Sequence, residues 1–142
     1  MAYTIREILG PSFLSAEGSL SVLEGAQRMV AARHGYILLV DDGRPTGIVT
    51  EWDIVEKVVG RGLDPREVPL SAIATRPVIS CEQSTPTTDV IDLMVKRKIR
   101  RMVVTDKGRI VGVVEAKNVF QSFGGFVDRL SAEIARLQSS YP

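Results

Sequence analysis

One cysteine, one histidine and one tryptophan are all that the 142 residues contain of those types. A lone Cys81 closes no internal disulfide, and no CxxC or Cys/His ligand set surrounds it, which argues against zinc and fits a reducing compartment. His34 ends an apolar helical segment with no acid or nucleophile at a recognised catalytic spacing, so a surface or helix-end role is expected for it. Charge of one sign is missing as well: 18 Lys and Arg against 17 Asp and Glu leave a net charge of +1, so nothing global calls for nucleic acid or an anionic membrane. No apolar run approaches the roughly 20 residues that span a bilayer, and no long apolar core follows a basic start at the N-terminus, so a cytoplasmic protein is expected. An apolar content of 44% with 25% charged residues is an ordinary composition for one compact domain.

What the chain does have is a repeat. Written 65 residues out of step, Gly47-Ile48-Val49-Thr50-Glu51-Trp52-Asp53 falls on Gly112-Val113-Val114-Glu115-Ala116-Lys117-Asn118 without a gap. Ile8 meets Ile73, Met29 meets Met94, and Asp41, Gly43 and Arg44 meet Asp106, Gly108 and Arg109. Two copies of a unit too small to bury a core alone imply a pseudo-two-fold module, with function sought where the copies differ.

Each copy carries the same series of expected elements. In the first, Ser12-Phe13-Leu14 suggests a brief strand, and Ser21 and Glu24 have the spacing of a capping box. Val22, Leu23, Ala26, Met29 and Val30 then recur at helical spacing up to His34-Gly35, where glycine permits an exit. Two β-rich runs, Tyr36 to Val40 and Thr46 to Thr50, flank the turn Asp41-Asp42-Gly43-Arg44 as a hairpin, and a helix is expected from Glu51 to Val59. The second copy repeats the plan with a strand at Pro77 to Ser80, a helix opened by Thr85 and Pro86, a hairpin from Arg101 to Val114 and a short helix from Ala116 to Phe123. Gly60 to Pro69 is a polar connector. The fold class is α+β, with duplicated β-α-β-β-α halves spanning residues 3–62 and 68–125 and a C-terminal helical tail over 126–142.

Thr50 and Asp53 stand where a strand gives way to a helix, beside the unpaired N–H groups of a first helical turn. For an isolated T-x-x-D the ordinary reading is a helix cap. The other reading is a ligand site: a threonine hydroxyl donates to phosphate, and an exposed carboxylate, acceptor only, takes both hydrogens of a ribose diol. The repeat favours the second.

The order short strand, helix, hairpin, helix, duplicated in tandem with a Gly-apolar-apolar-Thr-x-x-Asp segment, resembles a cystathionine-β-synthase (CBS) domain pair, or Bateman module, over residues 3 to 125. The resemblance implies a regulatory module, not an enzyme, that binds an adenosine ligand: AMP, ADP, ATP or S-adenosylmethionine. It implies that Asp53 and Thr50 serve a cleft walled by Ile48 and Trp52, with Arg76, Pro77, Val78 and Ile79 holding the adenine. Arg100 and Arg101 match basic positions that reach phosphates, a task suited to the planar donor fork of arginine. Lys96 to Arg101 also reads as a cationic helix C-terminus complementing the macrodipole. The mirror-related cleft departs from the pattern: Asn118 replaces the diol-binding acid, Glu115 the threonine, and Tyr36 stands where an arginine would be, with Phe13 in the first-strand position. A phosphorylated nucleotide is not expected there.

The resemblance further implies a homodimer, for which Val55, Val58, Val59, Val119 and Phe120 supply candidate apolar surface. With no catalytic or transport domain in the 142 residues, the regulated effector protein is expected in trans. The alternative function is a structural dimerisation module with vestigial clefts. In the tail, Phe126, Val127, Leu130, Ile134 and Leu137 stand near helical spacing, as a cap on the core or as a partner helix.

Overall fold

Both hairpins form where turn chemistry places them. In the computed structural model, which describes residues 4–10 and 12–140, β2 (Tyr36–Asp41) pairs antiparallel with β3 (Arg44–Thr50), and β5 (Arg101–Asp106) with β6 (Arg109–Glu115). Each turn has two residues at positive φ, Asp42 (51°) with Gly43 (74°) and Lys107 (51°) with Gly108 (83°), so the tight turn follows the right-handed twist of its strands. A register shift recurs at Leu39/Val40 and at Val104/Thr105, 65 residues apart.

Each hairpin gains one short parallel or flanking strand, and neither lies quite where the sequence suggests. β1 is Ser15–Ala16, with Leu14 contributing only its carbonyl to Leu38 N–H (2.9 Å). β4 is Ser80–Glu82, later than the expected run from Pro77, because proline has no N–H to give to a ladder. The sheets are thus β1-β2-β3 and β4-β5-β6.

The helices cover these sheets. α1 (Val22–Ala32) starts at Ser21, whose hydroxyl accepts Glu24 N–H, and α4 (Thr87–Arg97) starts at Pro86. Their exits correct the expected glycine: Arg33 (φ 56°) and Lys98 (φ 55°) themselves take the left-handed conformation, each under a pair of bonds back to the last turn. α2 (Glu51–Lys57) follows β3, and a short α3 (Leu70–Ile73) follows the connector.

The compact units do not coincide with the two repeats read along the chain. One is residues 11–80; the other joins residues 1–10 to 81–142. Each takes its opening segment from the other repeat. In the 11–80 unit, Leu70 N–H and Ser71 N–H bond the carbonyls of Leu20 and Gly18; in the other unit, Ile5 N–H and Arg6 N–H bond those of Thr85 and Gln83. These four bonds match at an offset of 65. Leu70 and Ile73 therefore complete the core of Val22, Met29, Ile37, Leu39, Val49 and Val58, while Ile5 is wholly buried in the unit with Val90, Met94, Met102 to Val104 and Val114.

α5 (Ala116–Ser140) is one helix of 25 residues, where the sequence suggests a short helix and a separate tail. Gly124 and Gly125 do not break it, although each costs about 1 kcal/mol against alanine in a helix interior. Val119 is buried, but the described side chains beyond it are exposed, so the tail does not cap a core. Among the described residues no helix is long and apolar enough to cross a membrane.

Candidate ligand-binding site

At the junction of β3 and α2, Thr50 is the N-cap, and its hydroxyl accepts the Asp53 N–H (3.4 Å) while Asp53 Oδ2 accepts the Thr50 N–H (2.9 Å). This reciprocal capping box satisfies two helix-end donors. Its acid is not the exposed one expected: Asp53 is only 5% accessible. The Thr50 hydroxyl lies 3.2 Å from Oδ2, and Oδ1 receives the Lys57 ammonium (3.0 Å) and the Thr75 hydroxyl (3.2 Å). Lys57 also donates to the Ile73 carbonyl at 3.0 Å. A carboxylate has about four lone-pair positions, and Asp53 uses all of them within its own unit.

Thr75 reaches Asp53 because the chain beyond α3 lies along the open edge of β3. Thr75 and Ile48 exchange both backbone hydrogen bonds, at 2.8 and 3.2 Å. Gly47 permits the approach, since a Cβ there would stand 2.8 Å from the Ala74 methyl. Arg76 continues the contact, its Nε donating to the Thr46 carbonyl (2.7 Å). Thr50, Asp53 and Ile48 are thereby brought together with the segment that opens Arg76-Pro77-Val78-Ile79. Arg76 and Pro77 are exposed, Val78 and Ile79 half-buried, and Trp52 is 62% exposed on the first turn of α2. Beside them the Asp41 carboxyl is held below the usual carboxylate range by the Thr46 hydroxyl (2.6 Å), by the Gly18 N–H and by the charge of Arg76.

The equivalent junction of the other unit uses different residues. Asn118 Oδ1 accepts the Glu115 N–H (3.3 Å), preserving the backbone cap. Glu115 is 5% accessible and its Oε1 pairs with Arg101 Nε at 3.0 Å, while Lys117 stands 3.6 Å from Oε2. Arg101 and Glu115, assigned from the sequence to opposite clefts, are thus an ion pair in one unit. They face each other in the hairpin register, as Tyr36 and Thr50 do in the other unit. Arg100 is exposed; Tyr36 is buried and Phe13 half-buried.

Lys57 and Thr75 are the site residues that sequence reasoning missed. Lys57 was legible as the i+4 partner of Asp53 on a helix; Thr75, 22 residues away, carried no local signal. A concavity of about 920 Å³ in the 11–80 unit, bordered by Glu17, Glu24, Arg28 and Arg66, includes none of the expected residues.

A family model described as "CBS domain" matches twice, over residues 5–60 and 70–125. The chain belongs to the CBS-domain family. It is a tandem CBS pair of the α+β type, like the CBS domain pair of protein MJ0100, solved in complex with 5′-methylthioadenosine and S-adenosylmethionine: TM-score 0.79 and 27% identity, covering 88% of this chain and 98% of that one. A CBS domain protein from Pyrobaculum aerophilum, solved with AMP, has a TM-score of 0.73 and 27% identity, covering 82% of this chain and 89% of that one. An L-aspartate semialdehyde sulfurtransferase of Methanocaldococcus jannaschii is 29% identical over 123 residues, 85% of this chain but 23% of that protein. The CBS pair matches less than a quarter of that enzyme's length.

Proposed function

We propose that this CBS pair is a non-catalytic regulatory module that senses an adenine nucleotide of the AMP, ADP or ATP type, at the corner built from Thr50, Asp53, Ile48, Trp52 and Arg76 to Ile79. The observation that carries the reading is the convergence of Thr50 and Asp53 with the Thr75–Arg76 edge, which fixes the family's Thr-x-x-Asp pair against the segment expected to hold adenine. Relatives of the same fold solved with AMP and with S-adenosylmethionine support an adenosine ligand. Asp53 meets a ribose diol only by exchanging an internal donor, and Thr75 and Lys57 are donor residues with solvent exposure. Arg100 and Arg101, the basic positions that the family resemblance assigns to phosphate, are proposed to carry phosphate affinity.

Titration calorimetry with AMP, ADP, ATP and S-adenosylmethionine, beside mass spectrometry of material released on denaturation, tests this. One phosphorylated nucleotide per chain is expected, at micromolar affinity or tighter, about −8 kcal/mol, weakening as salt rises. Replacing Arg100 and Arg101 with Ala weakens ATP or AMP far more than adenosine. Tight binding of S-adenosylmethionine alone moves the assignment to that ligand. No binding at all favours the second reading, a structural dimerisation module, which the full internal occupancy of Asp53 supports. In either case we propose a homodimer acting on an effector protein in trans. Val55 (48% exposed), Val59 (67%) and Phe120 (79%) remain candidates for its surface, whereas Val58 and Val119, also expected there, are core residues.

A further inference from the structure

We propose that the C-terminal half of α5 pairs with the same segment of a second copy as a parallel, two-stranded coiled coil. This goes beyond the nucleotide-sensing reading and does not depend on it. Phe120, Phe123, Val127, Leu130, Ile134 and Leu137 follow one another at steps of 3, 4, 3, 4 and 3 residues within one unbroken helix. That is a period of 3.5, the spacing of a left-handed coiled-coil seam, with Phe126 beside it at a g position. The seam runs about 26 Å along the axis. Val127, Leu130, Ile134 and Leu137 are 44%, 48%, 46% and 62% exposed, so their own unit leaves them uncovered.

The occupant follows from the side chains. Val127 and Ile134, both β-branched, take the a positions, and Leu130 and Leu137 take the d positions, the combination that favours two parallel strands. The charges of the segment, on Asp128, Arg129, Glu133 and Arg136, all lie off the seam. In parallel register Glu133 at g faces Gln138 at e of the second copy, so identical chains set no like charges against one another. A Cβ at Gly124 or Gly125 meets nothing within 4 Å, so no close approach at these two positions calls for glycine, and the helix continues through two poor helix formers. The segment beyond them is near the length at which an isolated helix is marginal in water, and a partner strand supplies the missing burial.

The test uses the full chain with Cys81→Ser and a single new cysteine. Under mild oxidation, Leu130→Cys at d should form a disulfide-linked dimer at least tenfold faster than Ala132→Cys, on the outer face at f. In sedimentation equilibrium, Leu130→Glu should weaken self-association at least tenfold, and Ala132→Glu should leave it unchanged. Equal cross-linking at 130 and 132, no cross-link at 130, or preferential linking of position 130 to position 134 in a Leu130→Cys, Ile134→Cys variant would each overturn the parallel seam. Nucleotide titration of Leu130→Glu separates this outcome from failure of the sensing site, because the seam holds none of the residues assigned to the ligand.

Discussion

Thr50-Asp53 and Glu115-Asn118 occupy the same place in two copies of one unit, yet they are held in different ways. Both junctions keep the bond from the third helical residue back to the N-cap N–H, because a helix start demands an acceptor there. Around that shared bond the charges part. In the 11–80 unit the acid sits on the helix, with a lysine one turn on and a threonine from beyond α3; in the other unit the acid is the N-cap and its arginine lies across the hairpin. The lesson is that a duplicated backbone conserves the backbone's hydrogen-bond requirement and leaves the polar side chains free to diverge.

Removing the acid tests that contrast most severely. Asp53→Ala should cost about 3 kcal/mol in urea unfolding, since it deprives Lys57, the Thr75 hydroxyl and both the N–H and the hydroxyl of Thr50 of a buried acceptor; an exposed cap would cost about 1 kcal/mol. Asn118→Ala, which loses one neutral bond, should cost about 1 kcal/mol. Equal losses would break the comparison.

The next largest contrast lies at the paired glycines. A methyl at Gly47 meets the Ala74 Cβ at 2.8 Å, which moves only with its backbone, whereas one at Gly112 meets the tip of Leu9 at 3.0 Å, which can rotate away. Gly47→Ala should therefore destabilise by about 2 kcal/mol and Gly112→Ala by less than about 1 kcal/mol, read from the same unfolding curves.

Glu115→Gln should cost about 1.5 kcal/mol by leaving Arg101, whose side chain is 13% exposed, without its carboxylate. Lys117→Ala should change stability by no more than a few tenths of a kcal/mol, because that lysine is 58% exposed.

The smallest effect is one of pH. Asp41 has its folded pKa lowered, so its contribution is present above its unfolded value near 3.8 and is lost as pH falls through the folded value. Thr46→Val should lower stability at pH 7, with the difference shrinking below pH 4, as thermal unfolding at each pH would measure. A constant difference across that range would remove the Asp41–Thr46 bond as its cause.

Most of the fold was legible because local rules govern it. Hairpin turns need two residues at positive φ, and Asp42-Gly43 and Lys107-Gly108 announced them; the capping spacing of Ser21 with Glu24 and of Thr50 with Asp53 located two helix starts. The site was legible only in part. Thr50 and Asp53 lie three residues apart and could be read together, but the burial of Asp53 depends on Thr75 and on the edge bridge at Ile48, contacts between distant segments. The pairing of Arg101 with Glu115 follows from the hairpin register, which the turn and its bulge fix across 14 positions of chain rather than within one helical turn.

By itself the sequence determined that the chain is a duplicated unit, where its hairpins turn and where most of its helices begin, since these depend on backbone conformations that neighbouring residues set within a few positions. Only the tertiary structure decided that each compact unit completes its core with the opening segment of the other repeat, that Asp53 is buried and saturated, and that α5 runs on past Gly125 with its apolar seam uncovered. The physical reason is that burial and the choice among equivalent partners belong to the packed chain: Leu70 and Ile5 carry equivalent patterns, and the core each one fills goes with the carbonyl its backbone N–H reaches in the turn before a helix, Leu20 for one and Thr85 for the other.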